Sequence, residues 1–253
     1  IIRRGIFYKK ISCSDYESLE ENLCRLKPDV IAAFNLGIIP SHLLTVPKHG
    51  ILNLHPSLLP RYRGGDPIQW MANRFDLQGG VTIHFMSEKL DQGDIVVQEP
   101  FKVTPGSSGR QVAQRVIYDR GVNLMINSIL AIQNNTITRT PQPTTSPTPY
   151  AKRLSHRDLW EFIDWHNWSL DHTWHMLCCT PFWVHYLPVG KGWRRLCEWE
   201  IAGRKPVSHN FDSGEIRRTL SGFLIAHKDG IIQVRPKLCI AKIAKAMFKA
   251  KGL

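Results

Sequence analysis

Asn53-Leu54-His55-Pro56-Ser57-Leu58-Leu59-Pro60-Arg61-Tyr62-Arg63-Gly64-Gly65 is the stretch on which the fold turns, and the apolar run Gly50-Ile51-Leu52 leads into it. A short apolar run that ends in polar residues reads as a buried strand feeding a loop. Asn53 and His55 lie two residues apart, so an extended backbone points both to one face. Two prolines stiffen the loop and two glycines free it. An amide and an imidazole on one face at the end of a buried strand point to a reaction site, whereas a core would place apolar side chains there.

Working outward, the pattern alternates between strand and helix. The run 29–34 reads as a buried parallel strand, residues 39–44 as a short helix, and 51–53 as the next strand. Upstream, Ile6-Phe7-Tyr8 reads as the end of a strand, and Ser14 with Glu17 as a capping box that opens a helix to about Leu26. Downstream, Asp66 is expected to cap a helix that has Pro67 in its first position and runs to about Arg74. Residues 81–86 and 95–98 read as strands, with Asp91 on the polar loop between them. A long amphipathic helix is expected from about Ser108 to Gln133, bent at Gly121. Such alternation predicts an α/β class with a Rossmann-like parallel sheet.

Residues 140–149 alternate Pro and Thr and read as an extended linker. This divides the chain into a catalytic domain over 1–139, a linker over 140–150 and a basic domain over 151–253. The last is expected to hold helices at about 156–165 and 170–178, then strands at 182–187, 194–201, 215–219, 223–226 and 231–234. Asp229-Gly230 marks a hairpin between the last two. Five short strands predict a small β-barrel of the OB-like kind.

The 253 residues carry a net charge of +12, of which +4 lies in 1–150 and +8 in 151–253. The basic part suits a polyanion or a phosphorylated substrate as well as it suits a plain solvated surface. Six scattered cysteines without paired spacing indicate reduced, packed thiols in a cytoplasmic protein. No apolar run approaches the length of a membrane span. The chain begins at Ile1 and not Met, so it is expected to start inside a longer protein.

Asn53, His55 and Asp91 form the candidate catalytic set, placed at the carboxyl edge of a parallel sheet. An amide donates to a developing oxyanion, and a histidine donates to it or moves a proton. An aspartate raises that histidine's pKa by its charge, or holds a water. If the nucleophile belongs to a substrate amine, this set suits acyl transfer without Ser or Cys. The alternative is a structural histidine with ordinary loop polars. Similar pairs of readings apply elsewhere. His172 and His175 beside Cys178 and Cys179 could ligate a metal, but a half-buried amphipathic helix is the favoured reading. The C-terminal tryptophans could stack on bases, but a domain core is favoured.

Asn53 to Gly64 resembles the signature of the folate-dependent formyltransferases. So does Gly80-Val81-Thr82-Ile83-His84-Phe85-Met86, followed by Leu90-Asp91-Gln92-Gly93-Asp94-Ile95. Pro141-Gln142, Tyr150-Ala151-Lys152 and Ile163-Asp164-Trp165 are similar to the join before the C-terminal domain of the methionyl-tRNA formyltransferases. The resemblance covers about 28–165 well and the remainder loosely.

It implies 10-formyltetrahydrofolate as donor, with the pterin against Asn35, Leu36, Gly37 and Ile38 and against the loop that carries Ser87 and Leu90. It implies that Asn53 and His55 stabilise the tetrahedral oxyanion, that Asp91 tunes His55, and that no metal is needed. Two departures stand out. The family's first strand–helix–strand unit is missing or survives only at its end. His84 occupies a position where methionyl-tRNA formyltransferases usually carry another residue and the small-amine relatives usually carry His. The acceptor is therefore expected to be methionyl-tRNA, favoured by the basic C-terminal part, or a nucleotide-linked amino sugar, favoured by His84 and Tyr62. Arg61, Arg63, Arg194 and Arg195 are the candidate acceptor contacts. A different class of reading is a nucleic-acid-binding remnant without turnover.

Overall fold

A computed structural model describes residues 16–36, 38–189 and 197–238. It divides into two compact units, each gathered from several stretches of chain. The first holds the described residues up to Gly65, Gly80–Pro100 and Arg115–Tyr150; the second holds Asp66–Gly79, Phe101–Gln114 and the described residues from Ala151 onward.

The described part of the first unit opens with α1 (Tyr16–Leu26), followed by β1 (Ile31–Phe34), α2 (Ser41–Leu44) and β2 (Ile51–His55). All five residues of β2 are buried, so both of its faces are covered. Ala33, Ile39, Leu43 and Ile51 form one core cluster. Burying a side chain the size of Ile51 or Leu52 contributes about 2 kcal/mol. The sheet runs β1-β2-β3-β4, with β3 over Gln78–Phe85 and β4 over Ile95–Lys102. β1 pairs with β2 in parallel, as expected, but β2 pairs with β3 antiparallel. The sheet is therefore mixed. A strand buried on both faces reads alike in either direction, and α3 (Pro67–Asn73), which lies between β2 and β3 in the chain, belongs to the second unit and is no crossover helix for that pair.

The long amphipathic helix is not continuous. α4 (Gly109–Gln114) gives way to a π-helical stretch over Arg115–Gly121, and α5 follows over Val122–Gln133. A side chain on Gly121 would meet Leu54 Cδ1 at 2.3 Å and the Val116 carbonyl at 2.4 Å, so β2 approaches the backbone where the helix register changes.

The second unit packs α3, α4, α6 (His156–Glu161) and α7 (Leu170–Cys179) with a four-stranded antiparallel sheet. That sheet has the order β5-β8-β7-β6, with β5 over Cys197–Pro206, β6 over Ile216–Thr219, β7 over Gly222–His227 and β8 over Gly230–Leu238. Ser155 and Asp158 close a capping box on α6, and Ser169 caps α7. The Asp229-Gly230 hairpin forms as expected, joining β7 to β8. Residues 182–187 are not a strand: Pro181–Tyr186 forms a 3-10 helix. Phe182 and Trp183 are both buried. Neighbours in a strand face opposite ways, so burying both on one core requires a helical turn. Asp66 precedes α3 but makes no side-chain cap; its carboxylate accepts from Leu154 N–H at 2.7 Å. The strand expected at 6–8, the Ser14 cap and most of the Lys-rich tail lie outside the described residues.

Gly121→Ala is expected to lower the stability of the full chain by about 1–3 kcal/mol through overpacking against Leu54. Urea denaturation measures this, and an unchanged midpoint would contradict the close approach.

Candidate active site

The register of β2 on β3 builds the site. Asn53 lies opposite His84, and His55 opposite Thr82. Directly opposed residues of an antiparallel pair share a face, so the four side chains form one polar patch in a buried sheet. All four are buried. Thr82 anchors the signature loop: its hydroxyl donates to Ser57 O at 2.6 Å and accepts from Leu59 N–H at 3.2 Å and Gln98 Nε2 at 2.9 Å. Gln98 Nε2 also donates to Leu59 O at 2.8 Å. The loop then turns so that Tyr62 O accepts from His55 Nε2 at 3.0 Å.

Asp91 arrives on the loop after β3. The Phe85 N–H donates to Asp94 O at 2.9 Å, and a Cβ on Gly93 would sit 1.9 Å from Phe85 O, so only glycine lets the loop fold back this tightly. Asp91 holds a left-handed backbone (φ 53°), and its Oδ2 accepts from Gly64 N–H at 2.8 Å. This turns the carboxylate to both histidines: Oδ2 lies 3.7 Å from His55 Nδ1, and Oδ1 lies 3.7 Å from His84 Nε2. Both separations exceed hydrogen-bond reach, so the coupling is electrostatic.

The Pro/Thr stretch is not a free linker. Thr140 pairs with Ile95 in an antiparallel bridge. Gln142 Nε2 donates to Asp91 O at 3.0 Å and Gly93 O at 2.7 Å, fixing the returning loop. Gln142 Oε1 accepts from Arg63 at 2.9 Å, and Arg63 also donates to Pro143 O at 2.7 Å and Thr144 O at 3.2 Å. Ser146 donates to Pro60 O at 2.7 Å, and Thr148 accepts from Tyr62 N–H at 2.6 Å. The stretch is a strap that ties the signature loop to the Asp91 loop.

Burial lowers the His55 pKa below its ordinary 6.5; the Asp91 charge and the bond to Tyr62 O oppose this and offset only part of it. The expected upward tuning by Asp91 is thus outweighed by desolvation. His55 is neutral near pH 7, with its proton on Nε2 toward Tyr62 and its lone pair on Nδ1 toward Asp91. His84 is lowered to about 4, first by burial and then by His55.

The structure brings Asn53, His55 and Asp91 into one cluster and adds His84, Thr82 and Gln142. The register signal for His84 was present in the sequence only to a reader who knew that β3 runs antiparallel. Asn35, Leu36 and Ile38 are exposed around the end of β1, with Leu36 43% and Ile38 69% exposed. Ser87 is exposed and bonds to Lys89 O, while Leu90 is half-buried. Gly37, Arg194 and Arg195 lie outside the described residues. Arg61 is half-buried, with its guanidinium 5.4 Å from the Tyr62 ring. Arg63, expected as an acceptor contact, is 5% exposed and turned to the strap, where its Nε, Nη1 and Nη2 donate to Gln142 Oε1, Thr144 O and Pro143 O. Tyr62 is likewise buried.

In the second unit, His172 Nε2 donates to Asn73 O at 2.7 Å while its ring stacks on Trp168, and His175 Nδ1 accepts from Gly106 N–H at 3.0 Å. The Cys178 and Cys179 thiols are pushed up to about 12 by burial. These are packing residues. The tryptophans Trp160, Trp165, Trp168, Trp174, Trp183 and Trp199 belong to or pack on the core of this unit. Among the described residues no helix is long and apolar enough to cross a membrane.

Residues 10–129 match the formyl transferase family. Over these residues the chain is similar to formyl transferases. It is 35% identical over 147 residues to the methionyl-tRNA formyltransferase of Alkaliphilus oremlandii, covering 58% of this chain and 46% of that protein. The chain therefore spans about half the length of the curated relatives it matches. Its fold is similar to HypX from Aquifex aeolicus in complex with tetrahydrofolic acid (TM-score 0.59, 19% identity, 87% of this chain and 37% of that one). It is also similar to WlaRD, a sugar 3N-formyl transferase solved with dTDP and 5-N-formyl-THF (TM-score 0.56, 18% identity, 87% and 79%).

Because His84 and His175 each have a folded pKa of about 4 against 6.5 when exposed, the unfolded chain binds more protons between these values. Their contribution is fully present above pH 6.5 and is lost as pH falls, at about 1.4 kcal/mol per pH unit for each group. The melting temperature is expected to drop between pH 6.5 and 5, above the carboxylate range. A flat profile there would contradict the neutral buried histidines.

Proposed function

We propose that the protein transfers the formyl group of 10-formyltetrahydrofolate to a primary amine. The observation that carries this is the cluster of Asn53, His55 and Asp91, in which a neutral imidazole offers Nδ1 beside a buried carboxylate. The amine lone pair forms a bond to the formyl carbon, and the carbonyl electron pair moves onto oxygen. The proton released from the resulting ammonium passes to His55 Nδ1, directly or through a water. Asp91 stabilises the imidazolium so formed. Asn53 and the charged His55 then stand near the oxyanion. Collapse breaks the bond to N10, which takes the proton back and leaves as tetrahydrofolate. The folate is favoured by the family match and by the folates in the two similar folds. The exposed Leu36 and Ile38 supply an apolar surface suited to a flat pterin ring. No step calls on a metal ion.

Methionyl-tRNA is the first acceptor, supported by the named relatives and by the excess positive charge of 151–253. His84 favours a second reading, a nucleotide-linked amino sugar, because the family's small-amine members usually carry His at that position. With Arg63 and Tyr62 buried, neither contributes to the choice. The two acceptors separate in one assay of the full chain with 10-formyltetrahydrofolate, charged initiator tRNA and a set of nucleotide amino sugars. Formylation of the tRNA is expected; formylation of a sugar alone would replace that acceptor, and a folded protein that formylates neither would favour the remnant without turnover.

His55→Ala is expected to lower kcat by about 10²–10⁴-fold while folate binding persists. In the unsubstituted chain, the rate should rise with pH through the lowered His55 pKa and level off by pH 7. Unchanged turnover in the variant would remove His55 from the reaction.

A further inference from the structure

Asn53 is buried, and its Oδ1 has no hydrogen-bond partner. Buried polar atoms without a partner are uncommon, and one inside a reaction site calls for a ligand-side explanation. The neighbouring bonds fix which end of the amide is unpaired. His84 Nδ1 lies 2.8 Å from Phe85 O, an acceptor, so Nδ1 carries the ring proton. Nε2 of the neutral ring is then an acceptor, and the group 3.1 Å from it must be the Asn53 NH2. Turning the amide over would set Oδ1 against Nε2 and require protons on both ring nitrogens of a histidine that is 1% exposed. With its nitrogen held at His84, the amide directs its oxygen to the opposite side.

We propose that His84 is a positioning residue: by accepting from Asn53 Nδ2 it turns Asn53 Oδ1 toward the reacting atoms, where that oxygen accepts an N–H of the attacking amine. The identity of the donor rests on the formyl-transfer reading; the orientation of the amide does not. As the amine nitrogen bonds to the formyl carbon it gains positive charge, and its N–H becomes a stronger donor. Oδ1 therefore binds the transition state better than the free amine, which is the condition for acceleration. No proton is transferred to Oδ1. The ammonium proton leaves to His55 Nδ1, and the second Asn53 amide hydrogen remains available to the oxyanion. Asn53 thus meets the nucleophile as well as the carbonyl. His84 earns its place by the side of the amide it holds, and it touches no reacting atom itself.

The orientation is tested without turnover. Nitrogen-15 NMR of the full chain labelled at histidine, with His84 assigned by its loss in His84→Gln, is expected to show His84 protonated at Nδ1 and bare at Nε2 at pH 7. A proton on Nε2 would overturn the proposal. The consequence is tested by kinetics. His84→Leu is expected to lower kcat by about 10–100-fold with the folate KM within about two-fold of the unsubstituted chain. His84→Gln should restore most of the rate, since its Oε1 can accept from Asn53 and its Nε2 can donate to Phe85 O. Equal loss in both variants, or no loss in either, would overturn the positioning role. If the unsubstituted chain formylates no amine, the formyl-transfer reading and the amine donor fall together, and the NMR result alone then decides the orientation.

Discussion

A buried cation, hydrogen-bonded to carbonyl and amide oxygens, holds the site together. Arg63 is 5% exposed, and its guanidinium donates to Gln142 Oε1, Pro143 O and Thr144 O. Burial lowers its pKa and the Asp91 charge opposes that, so a nearby carboxylate helps to keep the cation charged. Losing these acceptors would strand a charge in the interior, which is among the costliest single defects a fold can carry. The arrangement therefore fixes the strap, and the strap fixes Asp91 through the two bonds from Gln142 to the Asp91 and Gly93 carbonyls. Three segments far apart in sequence become one rigid frame around His55.

Parts of that frame can be read directly from the sequence. The period-two spacing of Asn53 and His55 places both on one strand face, and the family resemblance supplies Asp91 from the loop after the next strand. The direction of that next strand was not legible. A strand buried on both faces shows no alternation, so nothing in the residues of β3 says that it runs against β2. His84 was consequently seen as a departure from a motif and not as the residue facing Asn53. Arg63 is hard to read for a different reason: an arginine in a loop normally means a solvent-facing charge, and only the path of the strap shows that it bonds to the Gln142 side-chain oxygen and two backbone carbonyls. The same limit applies to the Pro/Thr stretch. Its composition predicts an extended chain but cannot say where that chain is tied.

The electrostatics follow from this packing. Desolvation outweighs the attraction of Asp91, so both histidines are neutral in the resting site. A neutral His55 with Nε2 committed to Tyr62 O has one vacant nitrogen, on the side of Asp91. The site is thus prepared to receive a proton and to stabilise it after arrival, which is the order of events that amine attack on a formyl group requires. The packing residues of the second unit, with its high-pKa thiols and hydrogen-bonded histidines, supply no comparable chemistry among the described residues.

Whether the strap positions Asp91 is tested most directly by Gln142→Ala, because Gln142 bonds to Asp91 through the backbone carbonyl. In single-turnover formyl transfer, displacing the loop by about 1 Å is expected to slow the chemical step by up to about 100-fold, with folate affinity retained. A variant that melts lower yet transfers formyl at the unsubstituted rate would contradict the account, because the strap would then be a brace for the fold alone.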